Sequence, residues 1–261
     1  MNNVVVLEEY IIFAERLADA SRAVINEYLA TAAVFETKGD LSPVTEVDRK
    51  VEETLRALIA ATYPEHGILG EEFEADRPDA EYVWVIDPID GTKAFITGMP
   101  IYGTLIALTY RGVPVVGVID QPATSERWAG AEGRPSTYNG QPVHCRSCPA
   151  LAEAIVSNGN PESLRQNEAE GFAALCRQTK WRIYGGNCYV FGRLAMGRVD
   201  ISVDSGLDPF DYCALDVVVR GAGGCMTDWE GNRLTIHSGH RVVAAGDSNI
   251  HRQAVDILKN R

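Results

Sequence analysis

The stretch Tyr82-Val-Trp-Val-Ile-Asp87-Pro-Ile-Asp90-Gly91-Thr92 decides how the chain is read. Residues 82–86 form an unbroken apolar run with β-branched and aromatic members, the pattern of a strand buried on both faces. The strand delivers Asp87 at its carboxyl end, Pro88 stops the hydrogen-bond ladder, and Asp90 follows after a tight bend. Gly91 and Thr92 then open a helix whose first N–H groups have no partner within the helix. Two carboxylates thus converge beside a helix start, offering oxygen ligands to a hard divalent cation and N–H donors to a phosphate. A bare Asp-Pro-x-Asp-Gly is an ordinary turn pattern; the complete Asp-Pro-Ile-Asp-Gly-Thr string is considerably more specific.

Before this strand, Ile11, Ala14, Ala18, Ile25 and Tyr28 recur at helical spacing and predict a helix from about Glu8 to Ala32. Thr45-Glu-Val-Asp48 resembles a capping box and starts a second helix, with Val47, Val51, Leu55, Leu58 and Thr62 on one face until Pro64. Lys38 to Pro43 between them reads as a loop. After the strand, Ile101–Tyr110 and Val113–Asp120 form an antiparallel hairpin turning at Arg111-Gly112, and Tyr138-Asn-Gly-Gln is another turn. The first half is therefore two helices on a mostly antiparallel sheet.

Beyond Cys148 strands and helices alternate: strands at 154–157, 181–184, 201–203 and 242–245, helices at 161–178, 187–196, 208–222 and 249–259. That order indicates an α/β layered half. The boundary falls near Cys145 to Ala150, dividing the chain into residues 1–147 and 148–261.

Composition bounds the function. With 46% apolar and 23% charged residues over 261 positions, the chain has a soluble globular profile, excluding disordered, collagenous and membrane classes. Thirty-six acidic against 24 basic residues give a net charge of −12 with no basic run, which argues against nucleic acid and anionic membranes as partners. The amino-terminal apolar run is interrupted by Glu8 and Glu9 and lacks a basic start, so a cytoplasmic protein is expected. The six cysteines read as reduced thiols; Cys145 and Cys148 form a lone CxxC without a second pair. The five histidines are scattered, lack ligand spacing and read as surface or loop residues.

Two further acidic motifs flank the decisive stretch: Gly70-Glu71-Glu72 upstream and Asp208-Pro-Phe-Asp211, leading into Gly221-Ala-Gly-Gly224, downstream. Together with Lys38, Ser42, Pro43, Thr45 and Asp48, these motifs in this order make the chain similar to the inositol monophosphatase superfamily of magnesium-dependent, lithium-sensitive phosphomonoesterases. The match runs from Lys38 through Asp247. The resemblance implies an alternating αβαβα sandwich of the α/β layered class, usually a homodimer. It implies that Glu71, Asp87 and the Ile89 carbonyl bind one Mg2+, that Asp87, Asp90 and Asp211 bind a second, and that a third sits near Glu71, with Mn2+ as a substitute. Asp90 and the N–H groups of Gly91 and Thr92 would hold the phosphate, while Thr92 with Asp48 and Glu71 would orient and deprotonate the attacking water. The family often has Trp-Asp at the last ligand; here it is Phe210-Asp211.

Independently, so many carboxylates in one pocket repel unless cations neutralise them. Absence of a Cys-x5-Arg signature favours direct in-line attack by water on a small phosphorylated metabolite, with two bridged ions polarising the phosphoryl group and stabilising the leaving oxygen.

Within the superfamily, Tyr184-Gly-Gly-Asn-Cys-Tyr189, Val203 to Leu215, Gly221 to Trp229 and Val243 to Asp247 resemble the histidinol-phosphate phosphatase branch of histidine biosynthesis. That branch usually has Gly-Asp-Cys-Tyr where this chain has Asn187. A carboxylate would suit the substrate's ammonium, whereas an amide hydrogen-bonds without supplying charge. Asp204, Asn187 and Asp211 are the candidate substrate contacts. The alternatives are an inositol or sugar-phosphate monoesterase, or a non-catalytic metal-binding regulator, which a phosphate-release assay separates.

Overall fold

The computed structural model describes residues 2–29, 35–37 and 43–259. In chain order the elements are α1 (Asn2–Leu29), β1 (Phe35–Thr37), β2 (Pro43–Thr45), α2 (Glu46–Thr62), β3 (Gly67–Gly70), β4 (Tyr82–Asp90), α3 (Thr92–Ile96), β5 (Gly103–Tyr110), β6 (Val113–Gln121), β7 (Glu126–Ala131), β8 (Thr137–Tyr138) and β9 (Gln141–Pro142). There follow β10 (Ile155–Asn158), α4 (Gln166–Cys176), β11 (Trp181–Tyr184), α5 (Asn187–Ala195), β12 (Ile201–Ser205), α6 (Pro209–Gly221), β13 (Cys225–Asp228), β14 (Arg241–Ala245) and α7 (Ser248–Leu258). β3 to β9 form a seven-stranded sheet in sequence order, parallel only at β3–β4. The second sheet has the order β11-β10-β12-β14-β13, parallel on one side of β12 and antiparallel on the other.

The period-two alternation of strands sorts the core into layers. Trp84 and Ile86 of β4, with Ile106 and Leu108 of β5, face α1 and α2. Val83 and Val85, with Leu105 and Ala107, face the opposite way onto α5 and α6. The second sheet repeats the arrangement: Val242 and Ala244 join α5 and α6, while Val243 and Ala245 pack with α4 and α7. The product is the five-layer αβαβα sandwich, and it explains the unbroken apolar runs, because both faces of each sheet are covered.

The hairpin at Arg111-Gly112 is present, with both residues at positive φ (49° and 77°), as a two-residue primed turn requires. Asn139 and Gly140 do the same at the β8–β9 turn.

Four expectations are corrected. Pro88 does not end β4: Asp87 pairs with Leu105, the register shifts, and pairing resumes at Asp90 with Gly103. The missing proline N–H falls inside a bulge, and the Pro88 carbonyl is satisfied by the Thr104 hydroxyl at 2.8 Å. On α2 the buried stripe continues to Ile59, four residues after Leu55, while Thr62 is exposed, as the helical repeat dictates. Pro161 opens a single 3-10 turn capped by the Asn160 side chain, and α4 begins only at Gln166. The first helix starts at Asn2, not near Glu8; its expected end at Ala32 lies outside the described residues. The strands β1, β2, β3, β7 and β13 have no counterpart in the sequence reading, and of β8 and β9 only the turn between them does.

Helix α6 sits directly on the first sheet. Gly117 of β6 and Gly130 of β7 are cross-strand partners, and together they make a flat patch beneath it. A Cβ on Gly117 would stand 2.4 Å from the Ala214 carbonyl oxygen, and one on Gly130 would stand 3.1 Å from that of Val217. Gly117→Ala is therefore expected to cost about 1–3 kcal/mol through overpacking, read as a lower denaturation midpoint in urea. An unchanged midpoint would refute this seating of α6.

Candidate metal-dependent active site

Four elements deliver acidic groups to one place. Because β3 and β4 are parallel and Gly70 pairs with Ile86, Glu71 leaves β3 at the same edge where β4 presents Asp87. The β4 bulge swings Asp90 round to that edge. Asp211 enters from the first turn of α6, where its Oδ2 accepts the Asp208 N–H at 2.6 Å. Asp48 lies buried on α2, and the Thr92 hydroxyl stands 3.5 Å from its Oδ1 and 3.2 Å from the Ile89 carbonyl.

Asp87, Asp90 and Asp211 each offer a carboxylate oxygen, and these oxygens lie within 4.8 Å of one another. Asp87 is buried, and its Oδ1 has no hydrogen-bond partner among the described residues. Burial, then the charges of Glu71, Asp90, Asp211 and Asp48, push the Asp87 pKa well above the ordinary Asp range. Asp211 is raised in the same way, by burial and then by Asp90. Burial also lifts Asp90, to about 6, against the opposing effect of hydrogen bonding from Cys188, whose backbone N–H reaches Asp90 Oδ2 at 2.5 Å. An orphaned buried oxygen inside an all-oxygen donor set fits a hard divalent cation such as Mg2+ and does not fit a thiophilic metal.

Next to this cluster, Gly91 takes a left-handed conformation (φ 83°) that turns the chain from β4 into α3. A Cβ there would come within 2.4 Å of Asn187 Nδ2, so both the turn and the contact require glycine. The Ala94 and Phe95 N–H groups both bond back to the Gly91 carbonyl, so those of Gly91 and Thr92 precede the first intrahelical bond.

A cleft of about 120 Å³ opens from Asp90 and Asp211, lined also by Asn160, Asn187, Asp204 and Ser205. Asn187 donates one Nδ2 hydrogen to the Ile101 carbonyl at 3.1 Å, which leaves its second N–H and its amide oxygen for other partners. Asp204 is buried, with Oδ1 accepting the Gly159 N–H at 2.6 Å; burial carries its pKa to about 7. All three candidate substrate contacts therefore share one cleft.

Lys38 and Ser42 lie outside the described residues, and of Pro43 and Thr45 only the backbone, in β2, is described. Phe210, in the first turn of α6, is partly buried against the core. Two histidines depart from the surface reading: His66 stacks on Tyr63 and Tyr82 and accepts from Trp84 Nε1, and His251 is buried beside Thr227. Burial raises the thiol pKa of Cys148 and that of Cys145, the latter to about 12, so neither presents the thiolate a redox pair uses. The sequence reading missed the backbone donors of Cys188 and Gly159, which hold Asp90 and Asp204. Their only trace is a position next to a Gly-Asn turn or a strand end.

A model of the inositol monophosphatase family matches residues 6–260. Among curated relatives, the chloroplastic bifunctional phosphatase IMPL2 of Arabidopsis thaliana is 42% identical, over 97% of this chain and 76% of its own length. The histidinol-phosphatase of Mycobacterium tuberculosis is 39% identical, over 76% of this chain and 78% of its own. Among solved structures, an inositol monophosphatase from Zymomonas mobilis superposes with a TM-score of 0.89 at 40% identity, covering 97% of this chain and 98% of that one. No helix among the described residues is long and apolar enough to cross a membrane.

The raised carboxyl groups make stability depend on pH in a definite direction. A group whose folded pKa lies above its unfolded value stabilises the fold at low pH and loses that contribution as pH rises through the folded value. For Asp90 and Asp204 the window runs from the ordinary value of 3.8 to about 6 and about 7. In chelator, the melting temperature is expected to fall between about pH 4 and about pH 7, and the rise on adding Mg2+ to grow over the same range. A Mg2+ effect that shrinks with rising pH would contradict the assignment.

Proposed function

The chain belongs to the inositol monophosphatase family, whose members hydrolyse phosphoric monoesters, and on that premise we propose that it converts L-histidinol phosphate to L-histidinol and phosphate. The observation that carries the chemistry is the convergence of Asp87, Asp90 and Asp211 beside the start of α3. We assign Glu71, Asp87 and the Ile89 carbonyl to one Mg2+, and Asp87, Asp90 and Asp211 to a second. Bound there, Mg2+ supplies Lewis-acid polarisation of the phosphoryl group and neutralises charge on the departing oxygen. The N–H groups of Gly91 and Thr92 orient the phosphate oxygens. Water held at the Thr92 hydroxyl gives up a proton towards Asp48 as its oxygen bonds to phosphorus and the ester P–O bond breaks, and the leaving alkoxide takes up a proton from solvent to give the alcohol.

The cleft supports the substrate. Histidinol phosphate carries an ammonium and an imidazole at the end opposite its ester, and Asp204 with the Asn187 amide oxygen provides acceptors for them. A cation near Asp204 would draw its carboxyl into the charged form, offsetting the burial that raises its pKa. A second reading stands beside it, because the 39% identical relative is a histidinol-phosphatase while the 40% identical solved structure is an inositol monophosphatase. Inositol phosphate brings only neutral hydroxyls, which can donate to these acceptors but supply no charge to the Asp204 carboxylate, and a hydrogen bond to a charged partner is worth about 1–2 kcal/mol more than a neutral one.

Histidinol phosphate is therefore expected to exceed inositol phosphate in kcat/KM by roughly ten- to hundredfold, in a panel that also includes fructose bisphosphate and glycerol phosphate. Inositol phosphate outrunning it would overturn the substrate and leave the metal chemistry standing. Asn187→Asp should widen the preference by adding charge for the ammonium while lowering the melting temperature, because the bond to the Ile101 carbonyl is lost. A variant with unchanged preference would remove Asn187 from the substrate site. Asp87→Asn should reduce activity more than Asp48→Asn, since Asp87 is assigned to two ions and Asp48 to the water; the reverse order in a phosphate-release assay would contradict those roles.

A further inference from the structure

The face of α2 that carries Asp48 carries two more charged residues at the next two turns, Glu52 and Arg56, a spacing of four that stacks them in one line. Glu52 is completely buried. A buried carboxylate is costly unless its oxygens are satisfied, and here each has a partner. Oε1 accepts Arg56 Nε at 2.7 Å, and Oε2 accepts the Glu72 backbone N–H at 2.8 Å. Arg56 in turn donates Nη2 to the Phe73 carbonyl at 3.2 Å, with its guanidinium 5.8 Å from the centre of the Phe73 ring. On the other side of Glu71, Gly70 leaves room for the carboxylate, since a Cβ there would stand 2.0 Å from Glu52 Oε1. The pair therefore touches residues 70, 72 and 73, and Glu71 is the residue between them.

We propose that Glu52 and Arg56 form a positioning clamp that fixes the backbone on both sides of Glu71 and so sets the affinity of the site for Mg2+. The inference rests on the metal reading above. One helix face then carries Asp48 at its first turn, for the water, and one and two turns later the clamp that supports the loop of Glu71 from behind. Glu52 touches neither substrate nor ion. Its effect passes through Glu71.

The test is calorimetric titration of Mg2+ into chelator-treated wild type, Glu52→Gln, Arg56→Gln and Ile59→Val, with kcat at saturating Mg2+ measured alongside. Glu52→Gln cannot serve both donors, because one of its oxygens becomes an amide. Loss of such an indirect support typically costs about 10–100-fold in metal affinity, and that weakening is expected for Glu52→Gln. Arg56→Gln, altered at a partly exposed position and so the variant to rely on if Glu52→Gln does not fold, should weaken binding in the same sense. In both, kcat at saturating Mg2+ should stay within about threefold of wild type. Ile59→Val loosens the core of the same helix without touching the loop, and should lower the melting temperature while keeping the wild-type dissociation constant. Clamp variants that bind Mg2+ as tightly as wild type overturn the proposal, and so does equal weakening by Ile59→Val, which would make the effect one of general stability. Absence of saturable Mg2+ binding by the wild type would overturn the metal reading itself, and the clamp with it.

Discussion

Mutual repulsion among carboxylates forced into one buried place is the constraint on which this structure turns. Two like charges about 4 Å apart repel by several kcal/mol at the effective dielectric of a protein surface, and here Asp87, Asp90 and Asp211 converge with Glu71 and Asp48 close enough to raise the Asp87 pKa further. The chain answers part of the problem with donors: Cys188 N–H for Asp90, Asp208 N–H for Asp211, Gly159 N–H for Asp204. Asp87 Oδ1 receives none from the described residues. A partner of positive charge is what that oxygen lacks among them, and the surrounding ligand chemistry is that of a hard cation.

Holding such a cluster requires rigid supports, and the layers provide them. α6 brings Asp211 inward because Gly117 and Gly130 let its backbone rest on the first sheet. α5 begins at Asn187, and the N–H of its second residue, Cys188, bonds Asp90, where a helix start favours negative charge. Both helices lie between the two sheets, so the cleft is built from both halves of the chain and neither half contains it alone.

Much of this was legible in the sequence. The run 82–86 announced a strand covered on both faces, because no polar residue interrupts it. The Asp87, Asp90 and Asp211 positions were marked by motifs of specific spacing. What escaped was structure carried by the backbone or by smallness. A proline within β4 reads as a stop, yet the bulge absorbs its missing donor and Thr104 bonds its carbonyl. β7 shows little strand patterning because Gly130 must be small beneath α6. Glu52 looks like one more surface acid on a charged helix; only the fold shows that it is buried against Gly70 and the Glu72 N–H. Backbone donors such as Gly159 N–H leave no residue-type signature at all.

The central claim is that the three aspartates are a divalent cation site. Anomalous diffraction from a crystal of the protein soaked in Mn2+ tests it most directly, because the signal locates the ion without reference to activity. The account predicts a peak bridging Asp87, Asp90 and Asp211 at the start of α3. A crystal with the soaked ion bound only elsewhere, and these carboxylates still facing one another, would contradict it.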